Sequence, residues 1–109
     1  VLEAARVVSA LAAQGHRPKR TVRFVLFTGE EQGLHGSRQY VQRHKADLDK
    51  HSAALVHDTG TGKVIHLGMQ GRKGCLEILD KELATLKTLD TWQGPSIRST
   101  GGTDHLPFN

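Results

Sequence analysis

Apolar and polar positions follow helical and strand periods that predict a helix–strand–helix–strand–helix order along the chain. Residues Leu2–Gln14 are apolar over most of the helical surface, which is typical of a largely buried helix, and Gly15 and Pro18 end it. The run Thr21–Phe27 is β-branched and aromatic, with apolar residues at both odd and even positions. This pattern indicates a central strand of a parallel sheet, which is buried on both faces.

The pattern continues with helices and short strands in the rest of the chain. Apolar stripes at helical spacing predict one helix from Leu34 to about Leu48 and another from Leu76 to Leu86. Between and after them we expect a short buried strand at Ser52–Val56, a turn at 59–62, a strand at Lys63–Leu67, and irregular chain over 90–104 with a short strand around Ile97. This alternation predicts an α/β fold.

Composition narrows the classes of function. A length of 109 residues suits one small domain. The net charge is +4, but the basic residues are scattered and aromatic residues make up only 5%, which argues against nucleic-acid binding. No apolar run approaches the ~20 residues of a membrane span, and the single cysteine, Cys75, excludes an internal disulfide. The chain opens in a helix and closes on a loop, so we expect 1–109 to be a fragment of a longer protein.

Candidate chemistry lies where the predicted strands end, which is where α/β sheets hold their sites. Glu30 and Glu31 follow the first strand, Asp58 follows the second, and His105 lies in the closing loop. Taken singly, the two glutamates are helix-start acids that suit the helix dipole, Asp58 is a turn former, and His105 is a surface histidine. Taken together, two carboxylates and an imidazole at corresponding strand ends are a set of donors typical of a zinc site. His57, beside Asp58, is interpreted as a packing residue.

Two motifs resemble those of the co-catalytic zinc aminopeptidase and carboxypeptidase Q-like exopeptidases. The run VRFVLFTGEEQGLHGS (22–37) resembles the family's strand–GEExGLxGS–helix signature, and GGTDHLPF (101–108) resembles its GGTDHxPF loop. Asp58 follows the intervening strand, as the middle metal ligand of that family does. The resemblance covers nearly the whole chain and implies a three-layer α/β/α zinc exopeptidase fold, present only in part, with a mostly parallel central sheet.

The resemblance also implies a role for each residue. Glu30 is expected to be the general base and then the general acid. Glu31 and His105 are expected to bind one zinc ion and Asp58 the other. The family's remaining histidine and bridging aspartate precede the helix that this chain opens with, so we expect two zinc ions in the complete domain and one or none here. The expected substrate is a peptide, with neither nucleic acid nor membrane as a partner, and the expected location is secreted or periplasmic.

Two other functions remain open at this point. A glutaminyl cyclase-like acyltransferase would use a single zinc ion and keep Glu30 as the proton shuttle. A non-catalytic domain could have kept the fold alone. The sequence also leaves the substrate side chain, the end of the peptide that is attacked and the oligomeric state open. For the isolated 109-residue chain we expect no catalysis, because the resemblance places two of the family's ligands outside it.

Overall fold

The computed structural model describes residues 1–58 and 60–109. Its helices and strands are, in chain order, α1 (Leu2–Ala13), α2 (His35–Arg43), β1 (Leu67–Gly68), α3 (Leu76–Glu82) and β2 (Pro95–Ser96). Four 3₁₀ helices cover Lys45–Lys50, Lys73–Cys75, Ala84–Thr88 and Leu106–Phe108. The chain divides into two compact units, Val1–Lys45 and Ala46–Asn109, and each is described by itself.

Helix α1 ends where the sequence predicts. The strong helix formers Ala and Leu dominate it, and Gly15 follows with φ of 93°. The Gly15 N–H donates to the Ala12 carbonyl at 3.1 Å and the His16 N–H to the Leu11 carbonyl at 2.9 Å. These two bonds form a Schellman cap, in which glycine supplies the left-handed residue.

The prediction that α1 is largely buried is wrong. None of its side chains is buried, and Leu2, Val7 and Leu11 are among the exposed large apolar side chains. The apolar pattern is typical of a helix that packs against another element. Within the first unit, no other helix packs against α1.

The strand predicted at Thr21–Phe27 is also absent from the structure, which assigns no regular element there. Within the described residues the one sheet is the β1–β2 pair, so this segment has no neighbour to complete a hydrogen-bonded ladder. Val22 and Leu26 are exposed. The segment nevertheless contacts α2, because the Phe27 and Tyr40 rings meet edge to face at 5.7 Å and Arg23 Nη1 donates to Tyr40 Oη at 3.0 Å.

The helix predicted from Leu34 to Leu48 is shorter and interrupted. Leu34 precedes α2 in a left-handed conformation, with φ of 60° and ψ of 35°. His44 then ends the helix with φ of −103° and ψ of 15°, and the chain continues as the 3₁₀ helix Lys45–Lys50. The Tyr40 and His44 rings pack against each other at 4.4 Å over the last turn.

The second unit contains the parallel pairing that the sequence predicts, in a shorter form. Strands β1 and β2 are parallel, with Leu67 opposite Pro95 and Gly68 opposite Ser96, and α3 packs against β2. The strand expected at Lys63–Leu67 keeps only its last residue, and the one expected at Ser52–Val56 is absent. The predicted turn at 59–62 begins at Thr59, outside the described residues, and bends at Thr61 and Gly62.

Few side chains of the described residues are buried. The buried apolar side chains are Leu34, 8% exposed, and Met69, 7% exposed. Ser37 and Thr103 are the buried polar ones. The described residues therefore form helices and a short parallel sheet. The helix predicted from Leu76 to Leu86 is present as α3 followed by a 3₁₀ turn.

Candidate active site

The paired glutamates lie on a short loop closed by the first residues of α2. The His35 N–H donates to the Gly29 carbonyl at 3.0 Å, and the Gly36 N–H donates to the Thr28 carbonyl at 2.9 Å. Inside this closure, the N–H groups of Gly33 and Leu34 both donate to the Glu30 carbonyl at 2.9 Å. The backbone that carries Glu30 and Glu31 is therefore fixed at both ends and in the middle. We call residues 28–36 the carboxylate loop.

The carboxylate loop is anchored by a buried residue in a costly conformation. Leu34 is a non-glycine residue in the left-handed region, which costs about 1–2 kcal/mol for an L-residue. Its side chain is buried, and its carbonyl accepts a hydrogen bond from Ser37 Oγ at 3.3 Å. Ser37 is itself 0% exposed. Such strain persists where surrounding contacts determine the backbone, and it is frequent at functional sites.

The two glutamates have different surroundings. Glu30 is half-buried, whereas Glu31 is exposed to solvent. A half-buried carboxylate is partly shielded from water, and an exposed one is open to an incoming ligand. The carboxylate loop lies directly before α2, but the segment before it is not the strand that the sequence predicts.

The second unit carries the other two predicted site residues. Asp58 is exposed, just beyond the segment Ser52–Val56. His105 is half-buried and its Nε2 lies 2.8 Å from the Thr100 carbonyl oxygen. A carbonyl oxygen only accepts, so Nε2 carries the hydrogen in this contact and Nδ1 keeps the lone pair of the neutral ring. A backbone carbonyl that accepts from one ring nitrogen is a common way to orient a metal-binding histidine.

Gln70 is a residue of this region that the sequence does not reveal. Its Oε1 accepts a hydrogen bond from the Thr100 N–H at 3.3 Å, so it fixes the peptide group next to the carbonyl that contacts His105. Gln70 has a positive φ of 52°, and its own N–H donates to the Arg98 carbonyl at 3.3 Å. The adjoining Gly71 marks a turn in the sequence, but nothing there indicates which side chain reaches residue 100.

The donor types fit zinc, although the described residues do not gather a complete set. Carboxylate oxygens, such as those of Glu31 and Asp58, and imidazole nitrogens, such as those of His105, are donor types that zinc binds. Across residues 1–58 and 60–109, however, no three His, Cys, Asp or Glu side chains come together in a group that could hold a metal ion. Glu30 and Glu31 share one loop of the first unit, while Asp58 and His105 belong to the second.

Across the part of the chain that the structure describes, no helix has the length and apolar character needed to cross a bilayer.

Comparison with known proteins identifies relatives over most of the chain. Carboxypeptidase Q from Bos taurus is 36% identical over 97 residues, which are 89% of this chain and 20% of that protein. Carboxypeptidase Q from Homo sapiens is 36% identical over 86 residues, 79% of this chain and 18% of that protein. The protein of that name from Rattus norvegicus is 40% identical over 76 residues, 70% of this chain and 16% of that protein.

The chain thus spans about a fifth of the length of the curated relatives it matches. No solved structure matches it with statistical significance. A family model described as "Peptidase family M28" matches residues 1–109, the whole chain. The predicted resemblance to zinc exopeptidases is confirmed, and the chain belongs to peptidase family M28.

Proposed function

We propose that this chain is part of a zinc-dependent exopeptidase, in which it supplies the general base and some of the metal ligands. The observation that carries the proposal is the closed carboxylate loop, which presents two adjacent glutamates in different surroundings within a chain that matches peptidase family M28 throughout. The substrate class is a peptide with a free terminus. By the same resemblance, the protein is proposed to be secreted or periplasmic.

Each site residue has a distinct chemical task in this proposal. Glu31, Asp58 and His105 hold zinc, through carboxylate oxygens and one imidazole nitrogen. Zinc, when bound, lowers the pKa of a water molecule and polarises the scissile carbonyl. The Glu30 carboxylate accepts the proton of the attacking water and delivers it to the leaving amine.

We further propose that the complete domain holds two zinc ions and that the 109-residue chain alone holds one or none. The chain by itself is expected not to hydrolyse peptides. We also propose that it forms one part of a single catalytic domain with a three-layer α/β/α arrangement. The parallel β1–β2 pair and the exposed apolar residues of the segment Thr21–Phe27 support that arrangement.

The proposal is tested by separating proton transfer from metal binding in the full-length protein. Glu30→Gln keeps the shape of the side chain and removes its basicity, so zinc content should stay unchanged while kcat falls by about 10²–10⁴-fold. Glu31→Ala and His105→Ala should lose zinc. Glu77→Gln, at an exposed position in α3, is the matched control and should keep both zinc and kcat. An active Glu30→Gln enzyme would show that Glu30 is not the base.

The direction of attack is tested with terminally blocked peptides. The relatives are named carboxypeptidases, whereas the motifs of this chain also resemble those of aminopeptidases. A peptide blocked at its amino end and the same peptide blocked at its carboxyl end distinguish the two activities, because an exopeptidase needs the free terminus that it recognises. Cleavage of both peptides at an internal bond would contradict an exopeptidase.

A further inference from the structure

The first turn of α2 lies against the backbone that enters the carboxylate loop, at a position where only glycine fits. A Cβ atom added at Gly36 would lie 2.7 Å from both the N and the O of Thr28, and 3.2 Å from Phe27 Cβ. Separations under 3.0 Å are essentially never seen for a real Cβ atom. Because the two nearest atoms at Thr28 belong to the backbone, no rotation of a side chain relieves the contact.

This close approach lies at the closure of the loop. The Gly36 N–H donates to the Thr28 carbonyl at 2.9 Å, so the glycine contacts the same peptide group that it binds. A side chain that pushes Gly36 away from Thr28 lengthens that bond. One of the two backbone bonds that close the loop around Glu30 and Glu31 is then weakened.

The other glycines of the loop differ in what they require. A Cβ atom added at Gly33 would meet no atom within 4 Å beyond its chain neighbours, so what this position requires is its φ of 118°. At Gly29 the nearest atom is His35 Cβ at 3.3 Å, which belongs to a side chain. Gly36 is therefore the glycine of this loop that is needed for backbone-to-backbone contact.

Ser37 fixes the same turn from the next position. It is fully buried, and its Oγ donates to the carbonyl of Leu34 at 3.3 Å. Leu34 is the left-handed residue at the end of the loop. Gly36 thus allows the first turn of α2 to lie against Thr28, where the loop begins. Ser37 binds the strained residue Leu34 to the same turn.

We propose that Gly36 and Ser37 are positioning residues for the Glu30–Glu31 pair, acting through the backbone closure of the carboxylate loop. The inference rests on the proposed function, since it concerns how the general base and one metal ligand are held. Neither residue needs to touch substrate or metal. Their contribution is to keep two carboxylates at fixed positions before a ligand arrives, and a misplacement of about 1 Å at a reacting group costs about 10²-fold in rate.

The test uses Gly36→Ala in the full-length protein, with Gly74→Ala as the matched control. Gly74 has no atom within 4 Å of an added Cβ and no left-handed φ. Gly36→Ala should weaken zinc affinity by about 10–100-fold, as loss of groups that orient ligands does. The kcat of the zinc-saturated enzyme should fall by about 10²-fold with KM unchanged. Gly74→Ala should have the parental zinc affinity, kcat and KM.

A purely structural role would give a different result. It would lower the melting temperature of Gly36→Ala but leave the zinc affinity and kcat of the folded enzyme at parental values, and that outcome overturns the proposal. If Gly36→Ala does not fold, Ser37→Ala is the deciding variant, because it removes the hydroxyl that donates to the Leu34 carbonyl and adds no atom. About a tenfold loss of zinc affinity in Ser37→Ala supports positioning, and parental affinity overturns it.

Failure of the positioning inference is distinguishable from failure of the proposed function. If Glu31→Ala keeps its zinc, the ligand assignment is wrong and the proposed function fails first. If Glu31→Ala loses zinc and Glu30→Gln loses turnover while both positioning variants behave like Gly74→Ala, the proposed function stands and the inference about Gly36 and Ser37 fails alone.

Discussion

The conformation of Leu34 predicts that the glycine variant is more stable than the alanine variant, which reverses the usual order of stability. Leu34 is 8% exposed and has φ of 60°. Leu34→Ala removes the buried side chain, which costs about 2–5 kcal/mol, and retains the left-handed strain. Leu34→Gly removes slightly more of the side chain but abolishes that strain, because glycine adopts positive φ freely.

Two opposing free-energy contributions set the difference in stability between Leu34→Gly and Leu34→Ala. Relief of the left-handed conformation favours Leu34→Gly by about 1–2 kcal/mol, and the greater backbone entropy of glycine in the open state disfavours it by about 0.5–1 kcal/mol. The middle of these ranges leaves Leu34→Gly more stable than Leu34→Ala by about 0.8 kcal/mol. That difference corresponds to about a fourfold change in the opening equilibrium.

Amide hydrogen exchange measures this equilibrium directly, because the Gly36 N–H closes the carboxylate loop. Its exchange rate in Leu34→Gly should be about fourfold slower than in Leu34→Ala. The control is Leu76, at the start of α3 with φ of −62° and ψ of −52°. At that right-handed position the alanine variant should be the more stable, as is usual in helices.

One result would refute the reasoning. If Leu34→Ala protects the Gly36 N–H better than Leu34→Gly does, the left-handed conformation carries no strain that glycine can relieve. The anchoring of the carboxylate loop by a strained residue would then be wrong. Equal protection in the two variants would refute the calculated size of the effect, since it would mean that the backbone entropy of glycine offsets the full relief of strain.

Three further predictions concern packing and charge. Met69→Ala should destabilise the second unit by about 2–5 kcal/mol, because Met69 is among its few buried apolar residues, and urea denaturation measures the loss. A double-mutant cycle between Phe27 and Tyr40 should give about 0.5–1.5 kcal/mol of coupling from the edge-to-face contact. The hydrogen bond from Arg6 lowers the pKa of Glu3, so the pair stabilises α1 above the ordinary pKa of a glutamate. Helical circular dichroism should fall as the pH drops through about 5 to 3, and Glu3→Gln should abolish that part of the change.

Local signals account for what the sequence predicts correctly. The end of α1 is set by Gly15 and by hydrogen bonds that span only five residues, so its position needs no knowledge of the rest of the chain. The same holds for the turn at the paired glutamates, where Gly29 and Gly33 indicate a tight path into α2. Each feature is determined by backbone geometry within a few neighbouring residues.

The incorrect predictions depend on partners or on rare conformations. The run Thr21–Phe27 has a strand pattern, but a strand forms only against a neighbouring strand, and the described residues place none beside it. Leu34 fits the helical stripe by spacing, yet it adopts a positive φ that leucine rarely takes. Its left-handed conformation depends on burial and on the bond from Ser37, which no pattern of polarity encodes.

The chemistry of the candidate site is predictable from the sequence to a greater extent than its geometry. Residue type alone shows that Glu31, Asp58 and His105 can donate to zinc. Their arrangement in space depends on elements that are far apart in the chain. The contact between His105 and the Thr100 carbonyl, and the bond from the Thr100 N–H to Gln70, likewise depend on the folded chain, and spacing does not reveal them.

The exposed position of α1 has a consequence for how the isolated chain responds to heat. A helix of 12 residues without buried side chains depends on its own backbone bonds and its cap, and helices of this length are marginal in water when unsupported. Its population follows nucleation and propagation, so its helix–coil change is gradual rather than all-or-none. Far-ultraviolet circular dichroism of the chain, followed on heating, should therefore show a broad slope from α1 beneath any cooperative step. A single two-state fit would misjudge both the slope and the step.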